Sequence, residues 1–231
     1  MTGTTQESQW PPAADVSRAG TRQAGPPGRV TANSRAHWGM LAGGAAGGVI
    51  FNAISLADGT TRHGYDWVSQ PLGALSLGAG GTAQIVNFIL LGAGTCASAL
   101  GWRPTLAGGP GAVWYPRLAV AAGLALIAAG VFSASHNIAA YLSLAVMIAQ
   151  LGILARRFNR TPGWRAWGAG MWAACGLMAI FLITDGILTA AGGPAGVFER
   201  LAWLTPTATG VALLVRFLIA RDARVSADGT R

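Results

Sequence analysis

Arginine-containing segments alternate with long apolar stretches along this chain. Lysine does not occur, so all sixteen cationic side chains are arginines. Cations at the edges of apolar runs are typical of membrane proteins, because short cytoplasmic loops retain positive charge. The pattern predicts an all-α, polytopic membrane protein built as a helical bundle.

The composition favours the same class and excludes several others. Hydrophobic residues make up 52% of the chain and charged residues only 10%, as expected for a protein solvated by lipid. The net charge of +8 does not indicate nucleic-acid binding, because the arginines punctuate apolar runs instead of clustering with aromatic residues on one soluble face. The absence of lysine excludes Schiff-base cofactors such as retinal or pyridoxal phosphate. We expect no cofactor and no nucleic-acid partner.

The two cysteines do not indicate a metal site. Cys96 and Cys175 lie in different apolar stretches, without a CxxC motif or a neighbouring histidine cluster. Isolated cysteines of this kind usually pack as small apolar residues. We therefore predict neither a disulfide nor a bound metal.

Six stretches are long enough to span a membrane. A transmembrane helix needs about 20 mainly apolar residues, and the predicted spans run from Trp38 to Ala57, Gly80 to Gly101, Arg117 to Ser135, Asn137 to Ala155, Ala166 to Ala190 and Phe198 to Ala220. Residues 1–36, rich in Gly, Pro, Ser and Thr, are predicted to form a disordered tail. Residues 37–220 then form the transmembrane domain, and 221–231 a C-terminal tail.

The arginine distribution predicts the orientation. Fourteen of the sixteen arginines precede the first span, lie around the loops after the second and fourth spans, or lie near the end of the last span or beyond it, and only Arg62 and Arg200 remain for the other side. Both termini, and both tails, are therefore predicted to be cytoplasmic in a bacterial inner membrane. The apolar, glycine-rich segment Pro71 to Gly81 is ambiguous. It either extends the second helix beyond the membrane or forms a cap at the outer leaflet.

Ionisable residues gather on the predicted outer side. Asp185 interrupts the fifth span near its outer end, His136 lies between the third and fourth spans, and Glu199 with Arg200 opens the sixth. Such residues are costly near a membrane, so their placement is a functional indication. We predict catalytic acid–base roles for Asp185 and Glu199 and a proton-shuttle role for His136, with Arg62 or Arg200 binding an anionic headgroup.

A purely structural role for these residues is equally consistent with their chemistry. Glu199 could stabilise a helix N-terminus, and Arg62 or Arg200 could neutralise Asp185 as an ion pair at the membrane interface. The polar residues inside the spans have two interpretations as well. They either line a polar path or hydrogen-bond to neighbouring helices, and they are Asn52, Gln84, Asn87 and Gln150.

Short motifs resemble a known family. The stretches RHGYDWVSQPLGAL, NFILLGAG, GVF followed by HNIAAY, and GVFERL resemble the integral-membrane family known as domain of unknown function 998. The resemblance covers about residues 38 to 220 and implies a six-helix bundle. It also implies binding roles for Tyr65, Asp66 and Ser69. The recurring polar positions of the family would fall at Arg62, Tyr65, Asp66, Ser69, His136, Glu199 and Arg200. The short link between Phe132 and His136 departs from the longer loop that the family leads us to expect.

The resemblance implies no activity, and no standard catalytic motif is present. The chain lacks a phosphate loop, HExxH and GxSxG. Our main hypothesis is an outward-facing polar cluster that binds a membrane lipid or another amphipathic small molecule. The alternatives are a membrane-embedded cyclase, isomerase or transferase that acts on a prenyl or lipid substrate by carboxylate chemistry, and a small transporter or accessory subunit.

Overall fold

The computed structural model describes residues 35–132 and 136–228, with side chains described for 36–132 and 136–220. Within these ranges the chain forms six α-helices, one short 3-10 helix and no strand. The helices are α1 (Arg35–Thr61), α2 (Gly81–Thr105), α3 (Trp114–Val131), α4 (His136–Asn159), α5 (Arg165–Ala191) and α6 (Ala195–Asp228), and the 3-10 helix, here called the cap helix, is Leu72–Ser76.

All six helices are long and apolar enough to cross a membrane, which confirms the predicted all-α architecture of a multi-pass membrane protein. Helices are required because lipid offers no hydrogen-bond partners to an open backbone. The predicted bounds differ from the observed ones by several residues. The last helix continues to Asp228, through most of the segment predicted as a C-terminal tail. The tail predicted over residues 1–36 lies outside the described residues, except for its last two.

The helices pack in chain order around a ring. Each helix contacts the next, and α6 returns to contact α1. Helix α5 is peripheral, because α4 and α6 also touch each other and few α5 residues are buried. Helices α2 and α3 approach closely at Gly92 and Gly123, where a Cβ on Gly92 would lie 2.5 Å from the Gly123 carbonyl oxygen. Small residues permit such backbone contacts in membranes.

Three of the four intramembrane amides connect helices. Asn52 of α1 donates to the Thr207 hydroxyl of α6 at 3.0 Å. Gln84 and Asn87 of α2 bond to α1, at the Ser55 hydroxyl and the Phe51 carbonyl respectively. These bonds support the interhelical interpretation for Asn52, Gln84 and Asn87.

The two ends of the bundle differ in chemistry. One end, called the loop face, carries residues 62–80, the C-terminus of α3, the N-terminus of α4, and residues 192–194. The opposite end, called the arginine face, carries every described arginine side chain except Arg62 and Arg200. The clustering that the sequence predicts is therefore present, whereas its orientation in a membrane stays a prediction.

The buried side chain of Arg157 connects two helices at the arginine face. Its guanidinium donates to the carbonyl oxygens of Leu106 at 2.8 Å and Pro110 at 3.3 Å, and further to Thr105 and Ala107. These carbonyls lie at and just beyond the C-terminus of α2, where unpaired backbone acceptors favour a cation. Arg157 is thus a structural residue that joins α4 to the end of α2.

Candidate functional site

The cap helix covers the polar residues of the loop face. Leu72 and Leu75 are almost completely buried, so the segment is inserted into the bundle. It does not extend α2, because Gly80 separates the two with a left-handed conformation at φ 91°. Of the two predictions for residues 71–81, the helix extension is wrong and the cap agrees with the structure.

Glu199 lies beneath the cap helix. The first turn of α6 positions this side chain, which is only 4% exposed. One carboxylate oxygen accepts a hydrogen bond from the Leu72 N–H at 2.7 Å. Glu199 therefore joins a membrane-spanning helix to the first residue of the cap helix.

Asp185 lies close to Glu199, within reach of its electric charge. Its side chain is 1% exposed, and its Oδ2 accepts a hydrogen bond from the Tyr141 hydroxyl at 2.6 Å. Its second oxygen, Oδ1, is buried without a hydrogen-bond partner among the described residues. Neither Arg62 nor Arg200 makes an ion pair with Asp185, so the predicted neutralisation is wrong.

His136 approaches the same place from α4. Its Nδ1 is hydrogen-bonded to the Ala129 carbonyl of α3, which requires the proton on Nδ1 and leaves a lone pair on Nε2 when the ring is neutral. Nε2 is buried without a partner within the described part of the chain. The ring packs against Gly73 of the cap helix, where a Cβ would meet Nε2 and Cδ2 at far less than contact distance.

Arg62 holds the loop in place. Its guanidinium pairs with Asp58 at 2.7 Å and donates to the carbonyl oxygens of Leu75 at 2.6 Å and Gly80 at 3.0 Å. These bonds occupy the donors that an anionic headgroup would need. The geometry therefore favours a role in fixing the cap helix over a role in binding an anion.

Tyr65 and Arg200 form a second set of hydrogen bonds that holds the loop. The Tyr65 hydroxyl donates to the Pro71 carbonyl at 3.0 Å and accepts from Arg200, which also donates to the Gly196 carbonyl at 2.7 Å. Partial burial raises the pKa of Tyr65, although the charge of Arg200 opposes this. The pair connects α6 to the residue that precedes the cap helix.

Asp66 and Ser69 form an exposed turn. The Asp66 carboxylate accepts from the Ser69 hydroxyl and from the Val68 N–H. The Ser69 hydroxyl bond, followed by the Val68 bond, lowers the pKa of Asp66, because both stabilise the ionised form. Their contacts are local to the loop.

The predicted site residues thus divide into two layers. The inner layer, called the carboxyl cluster, consists of Glu199 and His136 against the cap helix, with Asp185 and its partner Tyr141 beside them. The outer layer holds the loop in its conformation. It consists of Arg62, Tyr65, Asp66, Ser69 and Arg200. Sequence reasoning missed Tyr141, although this tyrosine closes the HNIAAY motif that begins at His136. Its place in that motif, one to two helical turns from His136, is the signal that could have indicated it.

The chemistry of the carboxyl cluster is that of hydrogen-bond acceptors. It offers a carboxylate oxygen and an imidazole nitrogen without partners, and no cation pairs with either acid among the described residues. No group of three His, Cys, Asp or Glu side chains that could hold a metal ion occurs in the described ranges. The arrangement suits a ligand that donates hydrogen bonds.

Comparison with known families agrees with this architecture. The model of the family described as "Protein of unknown function (DUF998)" matches residues 45–216. The chain belongs to the DUF998 family. The match covers α2 to α5 and the cap helix in full and most of α1 and α6, and it confirms the resemblance carried by the short motifs. No curated protein and no solved structure matches the chain.

Proposed function

We propose that this DUF998 protein binds a lipid or another amphipathic small molecule at the loop face, in the inner membrane of a bacterium. The polar group of the ligand lies beneath the cap helix against Asp185 and Glu199, and its apolar part extends into the surrounding bilayer. The observation that carries the proposal is a pair of neighbouring buried carboxyl groups without a cationic partner, one of which has an unused oxygen.

The acceptor-rich cluster supports a particular kind of polar group. Burying an acceptor without a partner costs about 1 to 3 kcal/mol, and a hydroxyl or amine group of a ligand would remove that cost. An anionic headgroup would instead find no cationic partner in the carboxyl cluster among the described residues. The proposed ligand therefore carries hydroxyl or amine donors and no phosphate close to the carboxyl cluster.

Ligand entry requires movement of the cap helix, because the carboxyl cluster is covered. The cap helix has only five residues, and polar bonds from Arg62, Tyr65 and Glu199 hold it. A short segment held in this way can be displaced without unfolding a membrane-spanning helix.

Analysis of co-purified molecules tests the proposal. The protein is expressed in its own host, extracted into polymer-bounded nanodiscs, and its bound lipids and small molecules are compared by mass spectrometry with those of the bulk membrane. We expect a hydroxyl- or amine-bearing compound enriched with the wild type and reduced about tenfold or more in Asp185→Asn/Glu199→Gln, since both changes alter the acceptors that hold it.

Asp58→Asn is the matched control, because it removes a carboxylate at the same face that binds Arg62 instead of the cluster. It should retain the compound. Equal enrichment in the double variant and the wild type, with both monodisperse, would refute the proposal, as would the absence of any enriched compound.

An enzymatic role is the second candidate, because the unpartnered Asp185 Oδ1 could accept a proton from a bound substrate. Purified protein would be incubated with prenyl and lipid candidates and the products analysed. Turnover that Asp185→Asn abolishes while leaving substrate binding intact would favour the enzyme. Binding without turnover favours the simpler proposal.

A further inference from the structure

The bundle contains a partly open cavity between its helices, on the arginine-face side of the carboxyl cluster. Its volume is about 130 Å³, and residues of α1, α2, α3, α4 and α6 line it. The walls are mainly apolar, with Leu41, Leu91, Leu151 and Leu213 among them. No ionisable acid or arginine side chain contributes to the described lining, so the cavity suits a neutral occupant.

An aromatic layer separates this cavity from the carboxyl cluster. Phe51 packs against Phe88 and Trp203 with ring centroids 5.0 and 5.2 Å apart. Phe88 meets His136 of the carboxyl cluster at 4.7 Å on one side, whereas Phe51 and Trp203 line the cavity on the other. The cavity is therefore a compartment distinct from the site proposed above.

Gln150 is a polar side chain of the cavity wall whose amide is not paired with a neighbouring helix. Gln150 is 7% exposed and lines the cavity, but its amide makes no hydrogen bond to any described residue. It differs in this from Asn52, Gln84 and Asn87, which bond to neighbouring helices. The donor and the acceptor of this amide are therefore available to a polar group bound in the cavity.

The serine and threonine hydroxyl groups in the same wall already make hydrogen bonds. The Thr95 hydroxyl donates to the Leu91 carbonyl at 2.8 Å, and the Thr209 hydroxyl donates to the Thr205 carbonyl at 2.8 Å. Thr207 donates to Trp203 and accepts from Asn52. Gln150 and the Tyr115 hydroxyl are thus the groups in the described wall that have both a donor and an acceptor to offer.

We propose that the cavity is a second binding site, for a compact neutral molecule that has an apolar body and one polar group hydrogen-bonded to Gln150. An apolar cavity of about 150 Å³ holds a benzene ring, so the volume here suits a six-membered ring or an apolar group of similar size. A neutral molecule of this kind partitions into the bilayer and reaches the cavity from the membrane.

Binding of 4-fluorophenol and fluorobenzene tests the site. The two probes share a ring, but only 4-fluorophenol carries a hydrogen-bonding hydroxyl. Fluorine NMR of the full chain in lipid nanodiscs, with empty nanodiscs as reference, should show protein-dependent binding of both probes and tighter binding of 4-fluorophenol. Gln150→Leu should weaken 4-fluorophenol binding about fivefold and leave fluorobenzene unchanged, as expected for one neutral hydrogen bond.

Two glycine substitutions locate the site. Gly210 lines the cavity, and a Cβ there has no neighbouring atom within 4 Å, so Gly210→Leu fills the space and should abolish binding of both probes. The matched control is Gly176→Leu on peripheral α5, where a Cβ also has no neighbour within 4 Å, and it should bind both. If Gly210→Leu does not fold, the smaller Gly210→Val gives the same comparison.

Three outcomes would overturn the inference. They are no protein-dependent binding of either probe, unchanged binding in the folded Gly210 variant, and an unchanged preference for 4-fluorophenol in Gln150→Leu. None of these readouts depends on Asp185 or Glu199, so a failure of this site can be distinguished from a failure of the proposed function.

Discussion

The Glu199 carboxylate of α6 accepts a hydrogen bond from the backbone N–H of Leu72 at 2.7 Å, across 127 residues of sequence. Both residues are buried, so this bond is shielded from competing water. It links a membrane-spanning helix to the start of the cap helix. Together with the bonds from Arg62 and Tyr65, it holds the cap helix against Glu199 and His136.

Glu199→Ala should loosen the cap helix. It leaves the Leu72 N–H buried without an acceptor, which costs about 1 to 3 kcal/mol, whereas Glu199→Gln keeps a carbonyl acceptor and should cost less. Thermal unfolding in detergent measures the stability, and hydrogen exchange at the Leu72 amide reports the local effect. Equal exchange at Leu72 in both variants and the wild type would show that the bond does not hold the cap helix.

Gly73 and His136 should be coupled. A Cβ on Gly73 would overlap the His136 ring, so Gly73→Ala should destabilise the protein by about 1 to 3 kcal/mol, as overpacking does. His136→Ala removes the ring, so the double variant should lose less stability than the sum of the single changes. Gly186→Ala on α5, where a Cβ has no neighbour within 4 Å, is the control. Additive effects in the cycle would mean that the ring and the cap helix are independent.

The membrane architecture was predictable because apolar length and arginine placement are direct consequences of lipid solvation. The fold of the cap helix could not be predicted in the same way. Residues 71–81 are as apolar as a span, but the left-handed conformations of Gly78 and Gly80 interrupt the helix, and glycine composition alone does not specify where such turns fall. Length and hydropathy therefore identify what crosses the membrane better than what folds back against it.

The site was predictable only in part. The sequence indicated that Asp185, His136 and Glu199 lie near one end of the bundle, because each follows or precedes a loop on the same side. It did not indicate that the guanidinium groups of Arg62 and Arg200 donate to backbone carbonyls, because the types of the charged residues in a loop do not determine the path of its backbone. Tyr141 was missed for a related reason, because its partner Asp185 lies 44 residues away.

Arg157 should be more important for stability than its neighbour. Arg157→Ala leaves the carbonyls of residues 105–107 and Pro110 without their donor, and bonds from a charged group contribute about 1.5 to 3 kcal/mol each. We expect a loss of about 3 kcal/mol, recovered only partly by Arg157→Lys, because an ammonium cannot match the guanidinium fork. Arg156→Ala, at an exposed position, should change stability little. Similar melting temperatures for the two alanine variants would contradict this role.

The turn formed by Asp66 and Ser69 should weaken in acid. Hydrogen bonds from Ser69 and Val68 lower the pKa of Asp66 below its ordinary 3.8, so their stabilising effect is present above that value and is lost as pH falls through the lowered pKa. Ser69→Ala should move the pKa upward, so the turn would open at a higher pH. Carbon-detected NMR titration of the Asp66 carboxyl measures this, and an unchanged pKa in Ser69→Ala would contradict it.

Single cysteines at two exposed prolines should reveal the orientation of the bundle. Pro194 lies at the loop face and Pro162 at the arginine face, and short arginine-bearing loops stay in the cytoplasm. In a Cys96→Ala/Cys175→Ala background, a membrane-impermeant maleimide should label Pro194→Cys in intact cells, but Pro162→Cys only after permeabilisation. The reverse pattern would place the carboxyl cluster on the cytoplasmic side. Its ligand would then have to come from the cytoplasm or the inner leaflet, whereas the geometry beneath the cap helix would be unchanged.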